Sequence, residues 1–363
     1  MSRYDVAIVG AGMAGVSLAA VIAPHARVLL LEAEDVPAYH ATGRSAAFWS
    51  ETYGGPAIQP LTTASGPVLR AGGHLEPLGS LHIGRAADAA AIDRFLAEFA
   101  DSDVVLAPVD PAAFVPGLRP DWTLGVMEAS CAYIDVAALH AQDLATARRG
   151  GAELRTGAAL IAATYDAGGW QIETRSGSVA ATLLVNAAGA WADAVAARAG
   201  VRPIGLQPFR RTMVQLRTDP AAAAGMPHVA DIAGRFYFKP EAGGRLWLSP
   251  HDETPTDPCD AAPEEIDVAI AIDRLERTVD WRVTQVERRW AGLRTFAPDR
   301  LPVYGFDPAH PGFFWCAGQG GFGIQTAPAA ARIAAAQLLG VTPDAFVAGI
   351  DPGRYSPARF AAT

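Results

Sequence analysis

Asp5-Val6-Ala7-Ile8-Val9-Gly10-Ala11-Gly12-Met13-Ala14-Gly15 reads as a strand that runs directly into a glycine turn. Asp5 to Val9 is short, β-branched and apolar, as a parallel strand buried on both faces must be. Val16 to Ala23 continues as a helix stopped by Pro24, and Arg27-Val28-Leu29-Leu30-Leu31-Glu32 reads as a second strand. A right-handed crossover makes the two strands parallel neighbours, so a complete βαβ unit is predicted by residue 32. The glycine spacing has a mechanical purpose. Gly10 makes the turn, Gly12 lets backbone approach a pyrophosphate, and Gly15 lets helix and strand pack closely. Met13 and Ala14 stand within the motif, ahead of the helix whose N-terminus supplies unpaired N–H groups to the anion. Glu32 ends the second strand with a carboxylate for ribose hydroxyls, and dinucleotide binding is the expected role.

Further along, Asp135 caps a predicted helix to Arg149 that is closed by Gly150-Gly151, with Val136, Leu139 and Leu144 on one apolar side. Strands are expected at Ala158 to Tyr165, Trp170 to Arg175 and Val179 to Asn186, with turns at Asp166-Ala167-Gly168-Gly169 and Ser176-Gly177-Ser178. Between residues 205 and 290, alternating strands such as Phe236 to Pro240 and Arg245 to Leu248 indicate an antiparallel sheet. Phe313 to Ala317 is a buried strand ending in glycines, and Pro328 to Leu339 has helical spacing. The fold class is therefore α/β, a Rossmann-like dinucleotide domain interleaved with a smaller α+β substrate domain containing the antiparallel sheet. The expected division is 1–75 with 136–205 and 290–363 for the first, and 76–135 with 206–289 for the second.

Composition narrows the class. The chain has 363 residues, 50% hydrophobic, with 29 basic against 38 acidic side chains. A net charge of −9 with no basic block argues against nucleic acid or an anionic membrane as partner. Cys131, Cys259 and Cys316 are far apart, so neither a disulfide framework nor a metal site has the spacing it needs, and a reducing compartment follows. The longest apolar run, Val16 to Ala23, is too short to span a bilayer, and the segment from Met1 and Ser2 onward lacks a signal-peptide pattern. A cytoplasmic protein is expected, peripheral to a membrane at most through its electron acceptor.

Tyr39-His40-Ala41-Thr42-Gly43-Arg44-Ser45-Ala46-Ala47 adds a second kind of information. With the first glycine motif, with Val185 to Trp191, Gly205 to Arg211, Phe236 to Pro240 and Trp290 to Arg294, and with Gln319 to Thr326, it resembles the D-amino-acid oxidase and glycine oxidase superfamily of flavoproteins. The likeness is greatest to a bacterial D-arginine dehydrogenase-like branch, and it runs from Tyr4 to about residue 340.

The resemblance implies non-covalent FAD, with the pyrophosphate on Gly10 to Gly15 and the ribose on Glu32. Thr42, Gly43, Arg44, Ser45, Ala46 and Ala47 would run beside the flavin, with Ala159, Ala188, Gly189, Trp191, Gly292 and Arg294 contributing further contacts. Gly320, Gly321, Phe322, Gly323, Ile324, Gln325 and Thr326 would lie along its other side, where backbone N–H groups can stabilise the charge of the reduced ring. Relatives that link FAD through a cysteine carry it within the equivalent of Thr295 to Tyr304, which has none here, so Cys316 is expected in the core. His40 is expected to pack the cofactor loop.

Arg211 and Arg294 match the positions that grip an amino-acid carboxylate, with Arg210 as structural neighbour, and Tyr237 and Tyr53 match aromatic residues of the substrate cavity. The implied reaction is oxidative deamination of a D-amino acid by hydride transfer from Cα to flavin N5, giving an imino acid, then a 2-oxo acid and ammonia. Where basic-substrate relatives carry a glutamate and a histidine, this chain offers Ser80 and Phe48, with Glu76 nearby, so neutral or hydrophobic substrates are expected. Where oxygen-using relatives carry a lysine, it has Trp247, which favours a dehydrogenase delivering electrons to a quinone or electron-transfer partner. A glycine- or sarcosine-type amine oxidase, a 2-hydroxy-acid dehydrogenase and a silent FAD-binding subunit remain as alternatives.

Overall fold

The computed structural model describes residues 3–166 and 168–361. Met1, Ser2 and Ala167 of the expected turn lie outside the described residues.

The first strand, Arg3–Val9, pairs in parallel with Val28–Leu31 on one side and Gly177–Asn186 on the other. Its alternation decides the layers. Val6 and Ile8 face a core with Val16, Leu18, Ile22, Phe314 and Ile333, whereas Ala7 and Val9 face one with Trp170, Ala196 and Trp315. Phe313–Ala317 continues the sheet in parallel beside Gly177–Asn186, with Leu184 opposite Phe313. The loops after Val9, Asn186 and Ala317 therefore leave the same edge, the carboxyl ends of neighbouring parallel strands, where an open α/β sheet forms its ligand crevice.

The first helix is Met13–Ile22, beginning inside the glycine motif rather than at Val16. Val136–Arg149 is capped as expected, the Asp135 side chain accepting from the Ala138 amide at 2.9 Å. The last helix is Gly323–Leu339 and contains Pro328, where the spacing had placed its start. A proline inside a helix disrupts the backbone ladder around it, and the next amide, that of Ala329, donates to Ser65 Oγ at 3.1 Å.

The second sheet has ten strands and is built on Gln207–Asp219, flanked by Arg282–Phe296 and Arg245–Ser249, with Tyr237–Glu241, His228–Asp231, Ser80–Arg85 and Trp122–Glu128 following across it. The expected antiparallel pattern holds except between His228–Asp231 and Ser80–Arg85, which are parallel. Val214, Leu216, Phe238 and Leu248 pack against Val268, Ala271 and Leu275 of the helix Glu265–Glu276, leaving the opposite face toward the nucleotide crevice. Phe48–Trp49, Ala132–Ile134 and Leu75–Pro77 form a small third sheet.

Candidate active site

At the nucleotide end, two glycines are required by contact. A Cβ on Gly15 would collide with the Gly10 carbonyl oxygen, and Gly10 holds φ of 104° with the Ala187 carbonyl against it. The Met13 amide donates to Thr42 Oγ1 at 3.0 Å, tying the helix start to the Tyr39–Ala47 segment. Glu32 is buried, and its carboxylate accepts from the amides of Ala11 at 2.8 Å and Glu34 at 3.0 Å. Glycine turn and carboxylate are thus one rigid unit. His140, missed from sequence, bonds the Ala11 carbonyl at 2.9 Å. His40 is held between Glu34 at 2.9 Å and the Trp191 ring at 4.5 Å.

A cavity of about 470 Å³ starts at this cradle and continues to the second sheet. Its wall includes Gly10, Gly12, Met13, Ala14 and Glu32, then Thr42, Arg44, Ser45, Ala46, Ala159, Ala188, Gly189 and Trp191. At the far end it includes Arg211, Met213, Tyr237, Gly292, Arg294, Gly320, Gly321, Gly323 and Ile324. Other expected contacts sit behind the wall. Gly15 packs on Gly10, the Gly43 amide bonds Ala38, and the Ala47 carbonyl accepts from Ile134. Phe322 stacks edge-on to Tyr53, and Thr326 bonds the Phe322 carbonyl at 2.9 Å. Gln325 holds the Ser50 amide at 3.2 Å and the Tyr53 carbonyl at 3.1 Å.

Strand alternation separates the paired arginines. Arg210 turns to Glu264 and Asp267, while Arg211 is only 3% exposed and lies on the cavity face with Met213. Arg211 Nε donates to the Asp252 carbonyl at 2.7 Å and Nη2 to Glu253 at 3.3 Å, leaving Nη1 buried without a partner among the described residues. Burial, and then the neighbouring Arg294, pull its basicity below the ordinary guanidinium value. Arg294 donates through Nη1 to the Tyr53 hydroxyl at 2.7 Å and through Nη2 to Tyr237 at 3.4 Å, and makes no ion pair among the described residues. The Tyr237 hydroxyl also lies 3.1 Å from Met213 Sδ. The end of the cavity is an excess of guanidinium charge with hydroxyls around it, a site that a carboxylate would neutralise.

Phe48 and Ser80 do not reach the cavity wall. Phe48 covers the His228 ring at 4.4 Å, and buried Ser80 bonds His228 Nδ1 at 2.9 Å. Burial lowers His228 to about 3, so the imidazole is neutral, and His251, edge-on to Tyr237, is lowered to about 3 by burial and by Arg211. Glu76 stands exposed on an edge strand opposite Tyr133. Trp247 lies opposite Lys239, whose Nζ is 4.4 Å from the rings of both Trp247 and Tyr133 and pairs with Glu241 at 2.6 Å. Cys316 is a core residue whose thiol burial pushes up to about 12. Among the described residues no group of acidic, histidine and cysteine side chains could hold a metal ion, and no helix is long and apolar enough to cross a membrane.

The family described as FAD dependent oxidoreductase matches residues 5–337. The chain belongs to this family.

FAD is the cofactor of this FAD-dependent oxidoreductase, and the residues present fit it: glycines where a Cβ would close the cradle, a fixed Glu32, and one continuous cavity leading to an unpartnered guanidinium nitrogen. The chain is 29% identical over 197 residues to a glycine oxidase of Pseudomonas aeruginosa, covering 52% of this chain and 48% of that protein. It is 27% identical to the mitochondrial dimethylglycine dehydrogenase of Mus musculus, covering 97% of this chain and 44% of that protein. The chain thus spans about half the length of these curated relatives. Among solved structures, glycine oxidase from Geobacillus kaustophilus superposes with a TM-score of 0.85 at 23% identity, 98% of each chain being covered. FAD-bound L-alpha-glycerophosphate oxidase from Mycoplasma pneumoniae superposes at 0.84 and 15% identity, covering 93% of this chain and 95% of that one. These likenesses establish the fold, and the relatives found by sequence are glycine oxidase and dimethylglycine dehydrogenase rather than a D-arginine branch in particular.

Proposed function

We propose that this FAD-dependent oxidoreductase deaminates D-amino acids with neutral or hydrophobic side chains. The observation that carries this reading is the buried Nη1 of Arg211, which has no hydrogen-bond partner among the described residues and lines the same cavity as Arg294. A substrate carboxylate would bridge the two guanidiniums, supplying the negative charge that Arg294 lacks, and would lie within reach of the Tyr53 and Tyr237 hydroxyls. Held by that end, the substrate has its Cα placed by the clamp rather than by a base. His228 and His251, both neutral near pH 7, take no part in holding a proton. The amine must itself be neutral to react. When bound, FAD supplies the two-electron acceptor. The far end of the cavity wall, with Arg211, Met213, Tyr237 and Arg294, offers no carboxylate to a guanidinium or ammonium side chain.

The division into a nucleotide domain (1–75, 136–205, 290–363) and a substrate domain is part of this reading, since the cavity is lined from both sheets. So are a cytoplasmic location and a quinone or electron-transfer partner as acceptor, the latter supported by Trp247 in place of a lysine.

A second reading, oxidation of glycine or an N-methylated glycine, is favoured by the names of the relatives. The same clamp would serve it. Anaerobic titration with D- and L-amino acids, glycine and sarcosine, followed by flavin absorbance, separates the two.

A further inference from the structure

Glu128 is fully buried at the end of the strand Trp122–Glu128, and among the described residues it makes no ion pair. An isolated carboxylate in such a place is costly unless hydrogen bonds stabilise it. All three of its donors come from one short segment. Ser50 Oγ donates to Oε2 at 2.8 Å, Thr52 Oγ1 donates to the same oxygen at 2.6 Å, and the Glu51 amide donates to Oε1 at 2.6 Å. The next residue is Tyr53, whose hydroxyl meets Arg294.

The strands beneath give this arrangement its register. His228 lies opposite Ser80, and Ser80 opposite Glu128, so the three form one row across the sheet. Phe48 rests on His228 at one end of the row, and Ser50 and Thr52 rest on Glu128 at the other. From the opposite side Gln325 holds the Ser50 amide and the Tyr53 carbonyl. The phenol then fits so closely over Gly321 that a Cβ there would strike the Tyr53 hydroxyl. Small displacements of the turn would move that hydroxyl off Arg294.

We propose that Glu128 is a positioning residue of the substrate site, gathering Ser50, Glu51 and Thr52 so that the turn delivers Tyr53 to Arg294. The proposal rests on the carboxylate-clamp reading. Glu128 does not line the cavity, and on this proposal it acts through Tyr53. It is therefore a determinant of carboxylate affinity rather than of FAD binding.

The test is a double-mutant cycle on FAD-loaded protein, with benzoate as a carboxylate that has no oxidisable amine and calorimetry as the readout. Glu128→Gln keeps the shape of the side chain but turns one acceptor into a donor. It is expected to weaken benzoate binding about tenfold, as is Tyr53→Phe, and the double variant is expected to lose no more than about threefold beyond either single one. FAD content stays at the wild-type level. Substrate KM rises more than kcat falls. Wild-type affinity in Glu128→Gln, or losses that multiply in the double variant, would overturn the proposal. Should Glu128→Gln fail to fold, Thr52→Val removes a donor from the other side and is held to the same coupling with Tyr53→Phe. Arg294→Met separates the two levels. If it leaves benzoate binding unchanged, the clamp and the proposal both fall. If it abolishes binding while Glu128→Gln and Thr52→Val are neutral, only the positioning role falls.

Discussion

The guanidinium of Arg294 and the hydroxyl of Tyr53 meet at 2.7 Å across 241 residues of sequence. One stands on the long strand Arg282–Phe296, the other on a turn pinned by Glu128 and Gln325. Arg294 lines the far end of a cavity that begins at the nucleotide cradle, and on the proposed reading its contact with Tyr53 sets where a carboxylate would sit.

Replacing Arg211 or Arg294 by methionine should weaken substrate binding and slow flavin reduction while FAD content is unchanged. One charge-assisted hydrogen bond of ~1.5–3 kcal/mol corresponds to roughly 10- to 150-fold in affinity. Titration of each variant with substrate checks this, and unaltered binding in both would place the carboxylate elsewhere.

FAD should leave the protein on acid precipitation. Cys316 is buried in the strand Phe313–Ala317 and its thiol is held protonated at neutral pH, so it is unsuited to linking the cofactor. Yellow colour retained in the denatured pellet would contradict this. Gly15→Val should abolish FAD retention, because its side chain would drive into the Gly10 carbonyl.

Side-chain preference follows from the far end of the cavity, where Arg211, Met213, Tyr237 and Arg294 stand with no carboxylate lining the wall there among the described residues. Burying an unpaired guanidinium costs several kcal/mol, whereas apolar surface gains ~25 cal/mol per Å² buried. D-Leu, D-Met or D-Phe should therefore give a higher kcat/KM than D-Arg or D-Lys. D-Arg ranking first would show a carboxylate within reach, and Glu76→Ala would then identify it.

Acid should destabilise the fold through His228. In the unfolded chain its imidazole takes a proton near 6.5, and in the folded protein near about 3. Between these values the unfolded state binds more protons, so the neutral folded form loses stability as pH falls from 6.5 toward 3. Relative to His228→Asn, the wild type should lose up to ~1.4 kcal/mol per pH unit across that window, measured by urea unfolding at neutral pH and at about pH 5. Equal slopes for the two proteins would refute it.

What was legible in the sequence was local or carried by an ordered motif. The βαβ unit, the Asp135 cap and the strand Phe313–Ala317 each depend on neighbours in the chain, and each forms where the pattern put it. The helix beginning at Gly323 is obscured by Pro328, since a proline normally marks a start and here it lies inside the helix, with a serine of another helix accepting from the Ala329 amide. The direction of Arg211 against Arg210 needed the alternation of the strand beneath them. Nothing local announces Glu128 or His228. Their partners lie 76 to 78 and 148 residues away and meet them only through the sheet. Ser80 and Phe48 match pocket positions only through the resemblance, and in the fold they pack on His228 instead.

The most direct measurement mixes the FAD-loaded protein anaerobically with D-Leu and L-Leu in a stopped-flow spectrophotometer, with Arg294→Met alongside. D-Leu should bleach the flavin band rapidly and L-Leu should not, with the rate in Arg294→Met reduced by at least about tenfold at subsaturating substrate. A flavin that no amino acid bleaches, or one that D-Leu bleaches equally fast with Arg294 removed, would contradict it.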